Sequence, residues 1–256
     1  TSRLVGSEMC IRDSIEGVPE IDKKEFIKTV KSRRSVRNFT NEPVLEKDMR
    51  ACLELTVLAP NSSNLQPWEF YWVRTAEKKK KLIDYCLGQP AASTAQELVV
   101  AVARPDYWKV NQKRMLTLID EMGGKAPRSV RKYYGKIVPL AYQQGFLSIK
   151  GYVKKIAMEI RGLKKPTPRE PYNKKGMAIW AHKSTALACE NLMLSLRAYG
   201  YDSCPMEGMD SKRIKKLLGL SSPAEISMVI SSGKRAENGV YGKQIRFDSN
   251  YFIHEI

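Results

Sequence analysis

Two clusters of polar side chains stand where they could do chemistry. The string RRSVR sets Arg33, Arg34, Ser35 and Arg37 where a helix gives way to an extended segment. Alternate residues of an extended chain point the same way, so Arg33, Ser35 and Arg37 can converge on one ligand. A dianionic phosphate wants several charge-assisted donors of this kind. The same residues would also suit a basic helix end meeting its own macrodipole. The second cluster is APNSSNLQPW, in which Asn61, Ser62, Ser63, Asn64 and Gln66 lie between Pro60 and Pro67, hard against Trp68. Small amides and hydroxyls make a poor core and a specific loop, with hydrogen bonds to give to something.

Other chemistries lack material. Two histidines, His182 and His254, and five scattered cysteines without a C-x-x-C pair leave no zinc cluster and little scope for a nucleophilic triad. No glycine-rich dinucleotide fingerprint and no P-loop occur. The cysteines (Cys10, Cys52, Cys86, Cys189, Cys204) read as reduced thiols of a cytoplasmic protein. The longest apolar run, LVVAVA, is far short of a membrane span, and the expectation is a soluble, unexported chain. Side chains alone do not supply a reaction; a cofactor could.

Stepping along the 256 residues, Asp22 with Glu25 opens a helix to about Val30. Leu45, Met49, Cys52, Leu53 and Val57 mark a second helix, over 45–58, that Pro60 stops. EFYWV and ELVVAVA read as strands around the helical TAEKKKKLIDYCL. A long apolar helix spans about Met177 to Tyr199, closed by Gly200. YDSCPM is extended, Asp210 caps a short helix, and EISMVISSG is a final buried strand. Long helices around few strands, without βαβ alternation, predict an α+β layered domain. Residues 1–15 are set aside as a disordered or non-native tail, RLVGSEMCIRDS resembling translated adapter sequence. The domain is then 16–256.

The formal charge of +17 is concentrated: residues 104–175 hold 18 Lys or Arg against five acids. Within this basic helical elaboration, Phe146, Ile149, Val153, Ile156, Ile160 and Leu163 form a stripe at helical spacing that is expected to bury against the domain or a second copy. A basic amphipathic helix on a membrane surface is the sharper reading.

RRSVRNF, followed by APNSSNLQPWEF, GQPAASTAQELVVAVA, ACENLMLSLRAYGYDSCPMEG and EISMVISSGKR, resembles the FMN-dependent nitroreductase family over residues 22–247. The resemblance implies a nitroreductase-like fold, a central, mostly antiparallel sheet flanked by helices in an intertwined homodimer, with FMN at the subunit interface and no metal. By motif position, Arg33, Arg34 and Ser35 would hold the phosphate and ribityl chain, and Arg37 the pyrimidine edge of the ring. Pro60, Ser62, Ser63, Asn64 and Gln66 would come from the other subunit. Gln89 would contact the ring, and the PMEG turn (Pro205, Met206, Glu207, Gly208) would bring a backbone N–H to flavin N5. Lys234, Arg235 and Arg246 are further phosphate candidates.

The activity implied is ping-pong: NADH or NADPH delivers hydride to N5 and leaves, and a nitroaromatic, quinone or similar flat acceptor takes its place. A reductive dehalogenase or ene-type reductase on the same fold is the alternative. From another class, the chain could be a basic-surface protein binding nucleic acid or anionic membrane. Nucleic acid is not expected as a partner, since residues 120–132 and 154–175 lack interleaved stacking aromatics, Tyr172 apart.

Overall fold

The computed structural model describes residues 17–123 and 126–256, so the tail 1–15 lies outside the described residues. Four strands form one sheet in the order β1-β2-β4-β3, every pairing antiparallel: β1 Trp68–Trp72, β2 Glu97–Ala103, β3 Asp202–Met206 and β4 Glu225–Gly233. The helices are α1 Lys23–Ser32, α2 Glu46–Thr56, α3 Ala76–Tyr85, α4 Pro90–Ser93, α5 Trp108–Glu121, α6 Arg128–Lys132, α7 Val138–Tyr142, α8 Ile149–Gly162, α9 Lys174–Ala198 and α10 Ser211–Leu218. This is the expected α+β architecture.

The period of two along β2 builds the layers. Leu98, Val100 and Val102 face a core with Val36, Leu82, Cys86, Ala91 and Ile214, drawn from the arginine segment, α3, α4 and α10. Val99 and Ala101 face Met49, Cys52, Cys189, Leu192 and Leu196 of α2 and α9. Each residue from Leu98 to Ala103 is therefore buried on one side of the sheet or the other, which is why LVVAVA reads as continuously apolar. The 25 residues of α9, roughly 37 Å of helix, run beneath the sheet and carry buried side chains into three of the four apolar clusters.

Local signals explain the boundaries. Asp22 caps α1 by accepting from Lys24 N and Glu25 N, and Asp210 caps α10 through Arg213 N. α9 begins three residues before Met177, at Lys174, because Asn173 caps it by accepting from Gly176 N. Gly200, at φ 81°, turns the chain out of α9 toward β3.

The basic elaboration is held by its own core. Leu65, Trp108, Met115, Ile119, Tyr134, Val138, Tyr142 and Trp180 cluster together, so the segment grips the loop before β1 and the start of α9. Between α6 and α7, Tyr133–Ile137 form a single π-helical turn. The apolar stripe of α8 does not bury against its own domain: its six residues are between 58% and 84% exposed in the single chain. Among the described residues, no helix is long and apolar enough to cross a membrane.

Candidate functional site

The arginine segment lies against one edge of the sheet. Ser35 bridges Ser203 of β3 in the parallel sense, Val36 N donates to Ser203 O at 3.1 Å, and Phe39 bridges Arg235. Val36 is buried and Ser35 exposed, and Arg37, two residues on from Ser35, is half-exposed, so the alternation of an extended chain puts Ser35 and Arg37 on the side away from Val36. Arg33 stands 3.9 Å from Glu190, and Arg34 donates to Gly242 O at 2.7 Å. The Arg37 guanidinium has neither a hydrogen-bond nor an ion-pair partner among the described residues. Burial pushes the Cys204 thiol up while Arg37 and Arg33 pull it down, which marks both cations as close neighbours of β3.

Behind this edge sits Asp202, whose side chain is 6% exposed; it accepts from Arg197 at 3.2 Å and from Arg235 at 2.6 Å. Two cations on one buried carboxylate leave a surplus positive charge. Lys234 lies 4.8 Å over the Tyr201 ring and 4.0 Å from Glu42. Arg246 is exposed on the tail, donating only to Ile245 O at 2.8 Å among the described residues.

The turn after β3 joins the same edge. Pro205 and Met206 are in register with Ile230 and Val229, after which Glu207 and Gly208 are exposed. Their backbone N–H groups have no acceptor among the described residues. Gln89, delivered by the left-handed pair Leu87 and Gly88, donates through its amide to Gly208 O at 3.2 Å and to Cys86 O at 3.0 Å. A Cβ at Gly208 would meet nothing within 4 Å, so the chain itself does not need a glycine there.

Beyond the end of β3, a cleft of about 530 Å³ opens between His182, Glu207, Ser211 and Met228. His182 lines it; its Nε2 lies 2.9 Å from Glu225 Oε2 and its Nδ1 3.1 Å from Ser227 Oγ.

The polar loop leads into the other edge. Leu65 is fully buried, and Ala59, Trp68 and Ala188 close the base of the loop. Ser63, Asn64 and Gln66 all adopt positive φ (59°, 45° and 43°), conformations that non-glycine residues hold only under firm constraint. Asn61 Oδ1 accepts from Gln66 N at 2.8 Å, and Asn111 donates to Leu65 O at 2.8 Å. The Ser62 hydroxyl meets Tyr142 at 2.9 Å; that of Ser63 meets Tyr133 at 2.7 Å and Tyr142 at 3.1 Å, while Tyr134 donates to Ser63 O at 3.0 Å. The π-helical turn lets the adjacent Tyr133 and Tyr134 reach one serine. Sequence reasoning missed these tyrosines; the pair YYG inside a lysine-rich helix was the available signal.

Ser62 and Ser63 line a cleft of about 500 Å³ with Tyr133, Tyr142, Trp180 and Lys183. On the other side, Asn64 and Gln66 line one of about 610 Å³ with Trp68, Tyr107, Asn111 and Arg114. Exposed Pro60 stands at the start of the loop. Trp68 is in register with Ala103 and thence Glu225, while Ser203 is opposite Ser232. Three interstrand steps and seven residues of rise separate their backbones by roughly 25 Å. One chain thus gathers the arginines, Gln89 and the PMEG turn at one edge and carries the loop at the other.

The nitroreductase family model matches residues 30–234, from before the arginine segment through Lys234. The chain belongs to the nitroreductase family. Among its relatives, a protein of Thermus thermophilus named NADH dehydrogenase is 28% identical over 207 residues, covering 81% of this chain and 85% of its own. The structure of the Bacillus subtilis nitroreductase-type protein ydfN superposes with a TM-score of 0.73 at 22% identity, covering 91% of this chain and 99% of that one. A structure from Exiguobacterium sibiricum, assigned to the nitroreductases and solved in complex with FMN, gives 0.67 at 24% identity, covering 90% and 97%. These structures establish the nitroreductase-like fold.

Proposed function

We propose that this nitroreductase-family chain is an FMN-dependent oxidoreductase that takes hydride from NADH or NADPH and reduces nitroaromatic, quinone or similar flat acceptors. The observation that carries the reading is the edge beside β3. There a half-exposed Arg37 whose guanidinium has no partner among the described residues, the exposed Ser35 and two N–H groups at Glu207 and Gly208 without an acceptor among those residues lie along one strand. Gathered on one edge, these donors would all be satisfied at once by a polar ligand that displaced the water covering them.

The residues fit the cofactor. Arg33, Arg34 and Ser35 would take the phosphate, with the surplus charge of the Asp202, Arg197 and Arg235 cluster and Lys234 behind them and Arg246 able to close from the tail. Arg37 would stand at the pyrimidine edge, where a fixed cation stabilises the charge that reduction creates. Gln89 would hold the PMEG turn, so that the N–H of Glu207 or Gly208 meets the ring. Bound FMN would supply a hydride-accepting and hydride-donating atom, N5, that no protein side chain offers.

Because the loop of the same chain leads into the opposite edge, the reading requires a second copy, which would set its Pro60, Ser62, Ser63, Asn64 and Gln66 over the first copy's arginines. Apolar side chains left exposed on α1 (Phe26, Ile27, Val30) and α9 (Ile179, Leu187) support a homodimer. The FMN-binding unit would span 16–256.

The test is an absorption spectrum of the purified protein, then anaerobic NADPH or NADH, then a nitroarene. Flavin bands that bleach with the nucleotide and return with the nitroarene support the assignment. Failure of saturating FMN to bind, or of either nucleotide to bleach it, overturns it.

A further inference from the structure

The amphipathic helix α8 is mounted inside out. Its apolar residues Ile149, Val153, Ile156 and Ile160, continued by Leu163 after it, fall within about 80° of arc at 3.6 residues per turn, and Phe146, in the short turn before left-handed Ser148, is exposed as well. A surface helix normally turns such a stripe inward. Here the opposite side is the attached one. Gly151 packs so closely on Tyr172 O that any Cβ would collide with it. Lys154, half-buried, donates its Nζ to Ala141 O and, at 2.6 Å, to Pro171 O. Lys155 lies 4.6 Å over the Tyr172 ring. These contacts fix the rotation of the helix and aim the stripe at solvent, with its six residues from 58% to 84% exposed.

The charges around the stripe say what can cover it. Between 146 and 175, nine Lys or Arg accompany two acids, and Glu159 is taken by Arg169 at 2.9 Å. Lys150, Arg161 and Lys164 fall along one flank. The proposed dimer draws on α1, α9, the arginine edge and the loop rather than on this flank. We propose that α8 is an interfacial helix that docks the protein on an anionic lipid bilayer, its stripe entering the boundary of head groups and acyl chains while its bases meet lipid phosphates and carboxylates. The inference rests on that placement of the dimer interface but not on the flavin chemistry.

The experiment uses the full chain, co-sedimented with vesicles of phosphatidylcholine alone or mixed with phosphatidylserine, with the mass in solution followed by light scattering. Two variants accompany it: Ile156→Asp with Ile160→Asp, and Lys150→Ser with Arg161→Ser and Lys164→Ser. All five side chains are partly or fully exposed, so folding is expected to survive, checked by an unchanged melting temperature. The expected result is binding to the mixed vesicles only, abolished by the aspartates and weakened roughly fivefold per base removed, with the native mass unchanged in both variants. Equal binding to neutral vesicles, no binding, or binding that survives the aspartates overturns the proposal. So does a drop in native mass on introducing the aspartates, which would assign the stripe to a subunit contact.

Discussion

The Tyr133 hydroxyl lies 2.7 Å from the Ser63 hydroxyl, although 69 residues separate them in the chain. This contact ties the basic elaboration to the polar loop, and Tyr142 reinforces it from the next helix. The loop's strained backbone at Ser63, Asn64 and Gln66 is therefore set before any ligand arrives, which lowers the ordering cost of binding.

Replacing Tyr133 or Tyr142 with Phe removes one hydroxyl while Ser63 keeps the other, so each single variant is expected to cost at most about 0.5 kcal/mol in FMN affinity. The double variant strips both partners at once, and its effect is expected to exceed the sum, at about tenfold weaker binding. Flavin fluorescence titration of all four proteins tests this. Additive or negligible losses would mean that the tyrosines do not set the loop.

Arg37 and Arg235 should separate binding from stability. Arg37 is unpaired among the described residues, so Arg37→Ala is expected to weaken FMN binding by about 10- to 100-fold, as for a lost charged hydrogen bond. The melting temperature should hold. Arg235→Ala leaves buried Asp202 to Arg197 alone and should cost about 1.5–3 kcal/mol of stability. Reversal of the two phenotypes would count against the division of roles.

What could be read from sequence was whatever acts locally. The caps at Asp22 and Asp210, the unbroken apolar run of β2 and the stop before Pro60 each depend on a few neighbouring residues, and all appear in the fold. Asn173 as the α9 cap and the one-turn α4 are equally local but carried less periodicity. The α8 stripe was legible as a face, yet periodicity cannot say which way a face points; contacts at Gly151 and Lys154 decide that. Likewise the loop's polarity was evident, but its tyrosine partners depend on a π-helical turn that no spacing rule announces.

The buried thiols give a pH dependence with a definite sign. Burial pushes Cys52 and Cys189 up to about 12 and Cys86 to about 11, from an ordinary 9.0. The folded state favours the neutral thiols, so their contribution is fully present below pH 9 and is lost as pH rises toward 11–12. The urea midpoint should therefore fall between pH 9 and 11. In a Cys10→Ser background, none of the four remaining thiols should react promptly with a disulfide reagent at pH 8, and all four should in denaturant. Prompt labelling of the native protein would contradict their burial.

The two edges of the sheet make a last prediction about assembly. If the site is completed by a second copy, an Arg33→Ala, Arg37→Ala chain retains a sound loop, and a Ser62→Ala, Ser63→Ala, Asn64→Ala chain retains sound arginines. Each homodimer pairs a damaged half with a sound one at both sites, and both should bind FMN poorly. The mixed dimer brings the sound loop of the first chain onto the sound arginines of the second, and the two damaged halves together at the other site. Co-expressed with different tags and purified through both, it should recover one tightly bound FMN per dimer and about half the wild-type rate per dimer. A mixed dimer no better than its parents would place arginines and loop on the same ligand within one chain, and the roughly 25 Å between Trp68 and Ser203 would then have to be bridged by the ligand itself.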